Sequence, residues 1–267
     1  MKTFHGATPP RALPRWTLAA VLAIGPAFAW AQAPANPAPA AAASGASDSA
    51  GTDDASPTRN PADPFEPFNR GVFRFNKGLD DKVLKPVATT YRDVVPSIMR
   101  SGVTNFFGNL GDVWNFANNV LQLKAQNSAE TFMRLNVNTF FGLGGLLDVA
   151  SDLGIERHSA DFGQTLGYWG VPAGPYLMLP LLGPSTVRDT AALPLDRKGD
   201  PVAYVNDAGG EVFLSGLRIV DKRARYLRTT SLLEDAALDP YSFVRDAYLQ
   251  RRKAEIGGVR GRQDDDE

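Results

Sequence analysis

Glu156, His158, Ser159 and Asp161 stand close together in the chain, and they are the residue types of a hydrolytic nucleophile with its base and acid. Such a set works through spatial geometry, so nearness in sequence carries little weight. A polar loop between two apolar segments accounts for the same four residues better. A metal site built from histidine and cysteine needs several ligands. The sequence holds no cysteine and two histidines, and His5 falls in a leader-like segment, leaving His158. No H-E-x-x-H, G-x-S-x-G or G-x-x-x-x-G-K-[ST] pattern occurs, so zinc hydrolase, serine esterase and P-loop chemistry have no support. Gly142, Gly144 and Gly145 would suit a phosphate cradle only after a strand, and none precedes them; a turn is the better reading. These residues argue against an enzyme and call for no cofactor and no metal. The missing thiol also excludes disulfides, thiolate catalysis and a thioether lipid anchor.

Two basic clusters remain. One is Arg218, Lys222, Arg223, Arg225 and Arg228; the other is Arg245, Arg251, Arg252 and Lys253. A solvated helix face and contact with anionic lipid headgroups both fit them. Nucleic acid fits least, because residues 1–33 have the form of an export signal. Lys2, Arg11 and Arg15 precede an apolar stretch, and Ala31-Gln32-Ala33 is a small-x-small cleavage site, with Ala29 and Ala31 close alternatives.

The elements that must position any site are mostly helical. The chain has 267 residues, 43% of them hydrophobic, and a net charge of -1, enough for one sizeable core. Residues 34–62 are Ala, Pro, Ser, Gly and Asp and predict a disordered tether; residues 257–267 predict a disordered tail. Folding is expected over 63–256. Phe68, Val72, Phe75 and Leu79 share one helical face. Residues 101–123 carry the clearest amphipathic pattern: Val103, Phe106, Phe107, Leu110, Val113, Trp114, Val120 and Leu121 oppose Asn105, Asn109, Asn115, Asn118 and Asn119. That polar face is nearly uncharged, which suits a wet channel wall, a protein contact, or a core whose asparagines bridge turns. Gly108 and Gly111 are expected to bend or interrupt this helix. A helix over 127–141, with Asn127 and Glu130 as a capping box, runs into Gly142–Gly145. Apolar arms on both sides of the glycines predict a hairpin. Phe213, Leu217, Val220, Ala224 and Leu227 mark a later helix, and Asp239-Pro240 starts a last one running to about Ala254.

Residues 135–188 are the centre of the chain. Between Asp161 and Arg188 there is no Asp, Glu, Lys, Arg or His. Pro172, Pro175, Pro180 and Pro184 forbid a spanning helix, and irregular backbone cannot face hydrocarbon. The run must therefore be buried in protein or line a cavity, and an uncharged apolar lining suggests lipid. A short extended pair within 165–182 stays open.

The motifs assembled along the chain resemble the MlaA/VacJ family of outer-membrane proteins over about residues 63–252. DPFEPFNRGVFRFN, KPVATTYRDVVP, GVTNFFGNL, RLNVNTFFGLGGLLDVAS, DFGQTLGYWGVPAGPYLMLPLLGPSTVRD and DPYSFVRDAYLQRR are similar to its blocks, in order. The resemblance implies an all-α, ring-like arrangement of amphipathic helices with a central channel and a Gly-turn helical hairpin. It implies residence in the periplasmic leaflet of the outer membrane, and passage of mislocalised phospholipid through the channel to a soluble periplasmic lipid carrier. It also implies association with a trimeric porin. A structural porin-associated protein without lipid transfer is the rival reading. Phe140, Phe141, Gly144, Gly145, Leu146, Leu147 and Val149 are expected to form the hairpin that gates or contacts lipid. Tyr168, Trp169, Tyr176, Leu177 and Leu179 are expected to form the apolar lining. The family is typically anchored through a cysteine absent here, so membrane residence is expected to rest on the amphipathic helices.

Overall fold

The structure is a computed structural model that describes residues 60–264. The expected signal segment 1–33 and nearly all of the tether 34–62 lie outside the described residues. The described residues begin at Asn60. Its carbonyl accepts from the Asp63 amide at 2.9 Å, and the Ala62 carbonyl accepts from Tyr176 at 3.0 Å.

Helix α1 (Glu66–Leu79) has Pro67 in its first turn, where no N–H is needed. A single π turn (Asp80–Leu84) carries it into α2 (Lys85–Val94). The π turn falls just ahead of Pro86, whose ring lacks the donor an α-ladder would use. Helix α3 (Ser97–Leu121) then folds back as α4 (Ala125–Phe140) through a tight turn at Leu123, φ 56°. Gly108 does not interrupt α3. A Cβ there would stand 2.4 Å from Nη1 of Arg157, so the glycine admits a guanidinium. The expected capping box is also absent: α4 starts at Ala125, and Glu130 instead meets Gln126 and His158.

Short helices α5 (Val149–Asp152) and α6 (Phe162–Tyr168) precede an antiparallel pair, β1 (Tyr176–Leu179) and β2 (Gly183–Thr186), in register Tyr176↔Thr186. The extended pair thus forms, four residues further on than its expected limit of 182. Helices α7 (Val187–Gly199), α8 (Ala208–Ala236) and α9 (Pro240–Asp264) complete the fold. The backbone of α9 continues past Ala254, into the segment expected to be a tail. Helix α8 packs on α2 through Ala88, Ala224 and Leu227; Tyr176, Met178 and Tyr241 form a second cluster beneath α9.

Asn69 and Asn76 lie two turns apart on α1 and therefore share a face. Each side-chain amide imitates a strand. Asn69 donates to the Tyr176 carbonyl (3.1 Å) and accepts from the Met178 amide (2.8 Å); Asn76 does the same for Leu179 (2.9 Å) and Leu181 (2.8 Å). The open edge of β1 is thereby satisfied.

That face is buried, and the apolar face is not. Phe68 and Phe75, two members of the expected apolar face, are exposed, while Asn69 is fully buried. The same inversion recurs in other helices. Arg134, at 1% exposure, is the bulkiest of the fully buried side chains, and Asp63, Asp112, Asn118, Asn119 and Asn138 accompany it. Exposed apolar side chains include Ile98, Met99, Phe132, Met133, Phe140, Phe141 and Phe213. A water-soluble core is built the other way round. No helix among the described residues is long and apolar enough to cross a membrane.

Candidate functional site

The uncharged run is closed by its own terminal charges. Asp161 accepts from the Gln164 amide at 2.8 Å, which caps α6. Its carboxylate also receives both terminal nitrogens of Arg252, at 2.6 and 3.0 Å. At the other end, Asp189 accepts from Arg252 Nε (3.0 Å), from Arg188 (2.9 and 3.0 Å) and from the Tyr248 hydroxyl (2.6 Å). Arg252 of α9 thus clamps the start of α6 to the start of α7, and the whole apolar run loops out between them. Gly163 makes room: a Cβ there would stand 2.5 Å from Asp189 Oδ1.

Within the loop, strand alternation sorts the expected lining. Tyr176 has 0% exposure and packs edge-on against Tyr241 and Tyr248. Its ring belongs to the packed cluster with Met178 and Tyr241. Leu177 and Leu179 point to the other side and are half-buried. Tyr168 is half-buried and Trp169 exposed; Trp169 Nε1 donates to the Leu121 carbonyl at 3.0 Å, tying α6 to the end of α3. The structure therefore brings Leu177 and Leu179 together with each other, and Tyr168 with Trp169.

The hairpin is built by Asn138, Arg134 and Asp148. Asn138 donates to Asp148 (2.9 Å) and accepts from the Ala150 amide (2.9 Å), while Arg134 reaches Asp148 at 2.7 Å. Leu146 and Leu147 lie in a turn, and α5 has only four residues, so the second arm is mostly non-helical. Phe140 (76% exposed), Phe141 (74%), Leu146 and Leu147 project outward, and Val149 is half-buried. Gly144 and Gly145 both have positive φ, 73° and 91°. Their surroundings differ: Gly144 faces open space, whereas a Cβ on Gly145 would stand 2.6 Å from Asn109 Cβ. Gly144→Ala is expected to cost about 1 kcal/mol, and Gly145→Val about 3 kcal/mol, from left-handed backbone plus overpacking. Thermal denaturation in detergent checks the order of the two; equal losses would remove the distinction.

Burial alone would raise the Asp148 carboxyl, but hydrogen bonds from Ser151 and Asn138 and the charge of Arg134 hold it at about 2. Burial likewise opposes ionisation of Asp189, and Arg252 first, then Tyr248 and Arg188, overcome it and hold that group at about 2. Both values lie below those of an unfolded chain, so the unfolded state binds more protons between about pH 4 and pH 2. Their stabilisation is complete above about pH 4 and is lost as pH falls through about 2. Each carboxylate contributes about 2 kcal/mol. The melting midpoint is expected to fall steeply between pH 4.5 and 2.5 and to stay flat from pH 5 to 7.

His158 Nε2 meets Glu130 Oε2 at 2.6 Å, and Asp161 is engaged by Arg252. His158 and Asp161, two of the four residues of that set, are thus each engaged with a different partner. Among the described residues no group of His, Asp and Glu could hold a metal ion. The basic clusters are mixed: Arg223, Arg245 and Arg252 are buried, whereas Arg225, Arg228, Arg251 and Lys253 are exposed. Arg223 holds Asp80 at 2.7 Å through two nitrogens, Arg245 approaches Asp63 at 3.5 Å, and Arg225 approaches Asp221 at 3.4 Å.

One feature was not legible from residue types. A cavity of about 480 Å³ opens between α1, the β-hairpin, the end of α8 and the start of α9. Phe73, Leu233, Phe243 and Val244 make its walls, and the Asp80–Arg223 pair lies at its side. Its size and largely apolar lining are those of a small-molecule site. Thr229, Thr230 and Leu233 of α8 contribute to the same lining.

A family model described as MlaA lipoprotein matches residues 61–255. The chain is 36% identical over 196 residues to the intermembrane phospholipid transport system lipoprotein MlaA of Escherichia coli (strain K12), covering 71% of this chain and 76% of that protein. It is 34% identical to the protein of the same name from Haemophilus influenzae, covering 73% of this chain and 79% of that protein. A solved structure described as the structural basis for maintenance of bacterial outer membrane lipid asymmetry matches with a TM-score of 0.65 at 36% identity. The match covers 73% of this chain and 98% of that one.

Proposed function

The chain belongs to the MlaA lipoprotein family, and from that premise we propose that it carries mislocalised phospholipid inward from the outer leaflet of the outer membrane. The lipid passes through an amphipathic channel among the helices and is handed to a soluble periplasmic lipid carrier. The protein lies in the periplasmic leaflet, in association with a trimeric porin, and performs no covalent chemistry.

The observation that carries this reading is the inverted distribution of polarity. Phe68, Phe75, Phe132 and Phe140 are exposed while Asn69, Asp112, Asn118 and Arg134 are buried. Exposed apolar surface on this scale marks a membrane or protein contact. A chain with such a belt, and with no helix able to span among its described residues, suits one leaflet of a bilayer. The buried asparagines and ion pairs would then provide a polar interior through which a headgroup can pass. The exposed apolar belt supplies the surface that would hold the protein at the leaflet.

The test is lipid transfer. Purified protein should move labelled phospholipid from one vesicle population to another in the presence of a periplasmic carrier. A deletion strain should display phospholipid at its surface, corrected by the wild-type gene. Porin pull-down with no transfer and no surface lipid would leave a structural porin-associated protein instead.

A further inference from the structure

Helices α8 and α9 leave the short turn at 237–239 side by side, yet they do not close on each other. Thr229 and Leu233 of α8 and Phe243 and Ala247 of α9 line the same cavity. One turn beyond Ala247 stands Arg251, and about 16 Å back along α8 from Leu233, at 1.5 Å per residue, stands Lys222. Two ends of one cleft therefore differ in chemistry. One end is apolar and roomy; the other is cationic.

The cations are unequal. Arg218 is paired with Asp200, Arg225 with Asp221, and Arg251 with Glu255. Lys222, half-buried, has no carboxylate partner among the described residues. Burial, then Arg225, Arg251 and Arg218, push its ammonium down to about 7. A desolvated lysine among three guanidiniums lacks an anion. The Asp80–Arg223 pair nearer the cavity is closed on itself and does not supply one.

We propose that the α8–α9 cleft is a phospholipid-binding site, with an acyl chain in the cavity and the headgroup phosphate against Lys222. This rests on the lipid-handling reading above and adds to it a place and an orientation. The occupant must combine an apolar chain with an anion a short way from it. A phosphodiester supplies that anion and restores the charge balance that Lys222 lacks. Diacylglycerol shares the acyl chains but carries no anion, so it serves as the control ligand.

The experiment uses the full chain purified in detergent and exposed to phosphatidylethanolamine/phosphatidylglycerol vesicles doped with a phospholipid bearing a photoreactive group at its acyl terminus. Cross-links are mapped by mass spectrometry, and bound lipid phosphorus is counted per protein. Wild type should cross-link on the peptide that contains Phe243 and Val244. Ala247→Trp, which fills the cavity, should lose at least fivefold of that labelling. Lys222→Met, which keeps the stem and removes the charge, should lower bound phospholipid severalfold with an unchanged melting midpoint, and should leave diacylglycerol binding unchanged.

Cross-links confined to other regions, or equal occupancy in both variants, would overturn the site while wild-type transfer left the lipid-carrying reading standing. Equal loss of diacylglycerol and phospholipid in Lys222→Met would overturn the assignment of phosphate to that lysine. A wild-type protein that neither binds nor transfers phospholipid would remove both readings. Should either variant fail to fold, the wild-type cross-link map still decides.

Discussion

A protein carrying Phe140→Asp and Phe141→Asp is expected to dissociate from phospholipid vesicles that retain the wild type. Both rings are largely exposed at the end of α4, and their substitution creates no cavity. Folding should therefore be nearly unaffected. At a membrane the same rings would be withdrawn from water. Burying a phenylalanine contributes about 2 kcal/mol, so losing two removes about 4 kcal/mol, roughly a thousandfold in partition coefficient. The two added carboxylates raise that further. Sedimentation with vesicles that contain no porin measures the effect. Retention within tenfold of wild type would mean that this hairpin faces something other than lipid, and the belt would have to hold the protein elsewhere.

The second large effect concerns Arg252. Its guanidinium is the only group that touches both Asp161 and Asp189 among the described residues. Arg252→Met keeps much of the volume and leaves the carboxylates facing one another with Arg188 as the remaining cation nearby. Breaking a buried pair by removing one partner costs about 3–5 kcal/mol, because the stranded charge stays desolvated. For a folded unit of this size that lowers the melting midpoint by about 10 °C. Arg252→Lys should recover only part of it, since one ammonium cannot present the two-sided fork that serves both carboxylates. The consequence reaches beyond stability. With the clamp released, α6 and α7 are no longer held together at their starts, and the apolar loop from Gly163 to Pro184 loses its frame. Lipid transfer should fall with the melting midpoint. A midpoint within 3 °C of wild type would show that packing of α9, not the ion pairs, holds the loop closed.

The sequence by itself determined a good deal. Helical periodicity is local, so α3, α8 and the start of α9 at Asp239-Pro240 were legible from spacing alone. Proline and glycine act on their own backbone, so the run from Asp161 to Arg188 could be recognised as non-spanning without knowing its path. Ordered motifs carried the family resemblance. What periodicity cannot say is which face of an amphipathic helix turns inward. Phe68 and Phe75 obey the same spacing in a water-soluble core and in a membrane belt; the surrounding solvent decides, and only the tertiary structure shows the asparagines inside. Nor does spacing reveal contacts made between distant segments. Asn69 with Tyr176, Asp80 with Arg223 and Asp161 with Arg252 are separated by long stretches of chain. Each depends on how whole helices are laid against one another, as does the cavity between α8 and α9. The uncharged run owed its composition to its own residues, but its closure into a loop was decided by a single arginine near the far end of the fold.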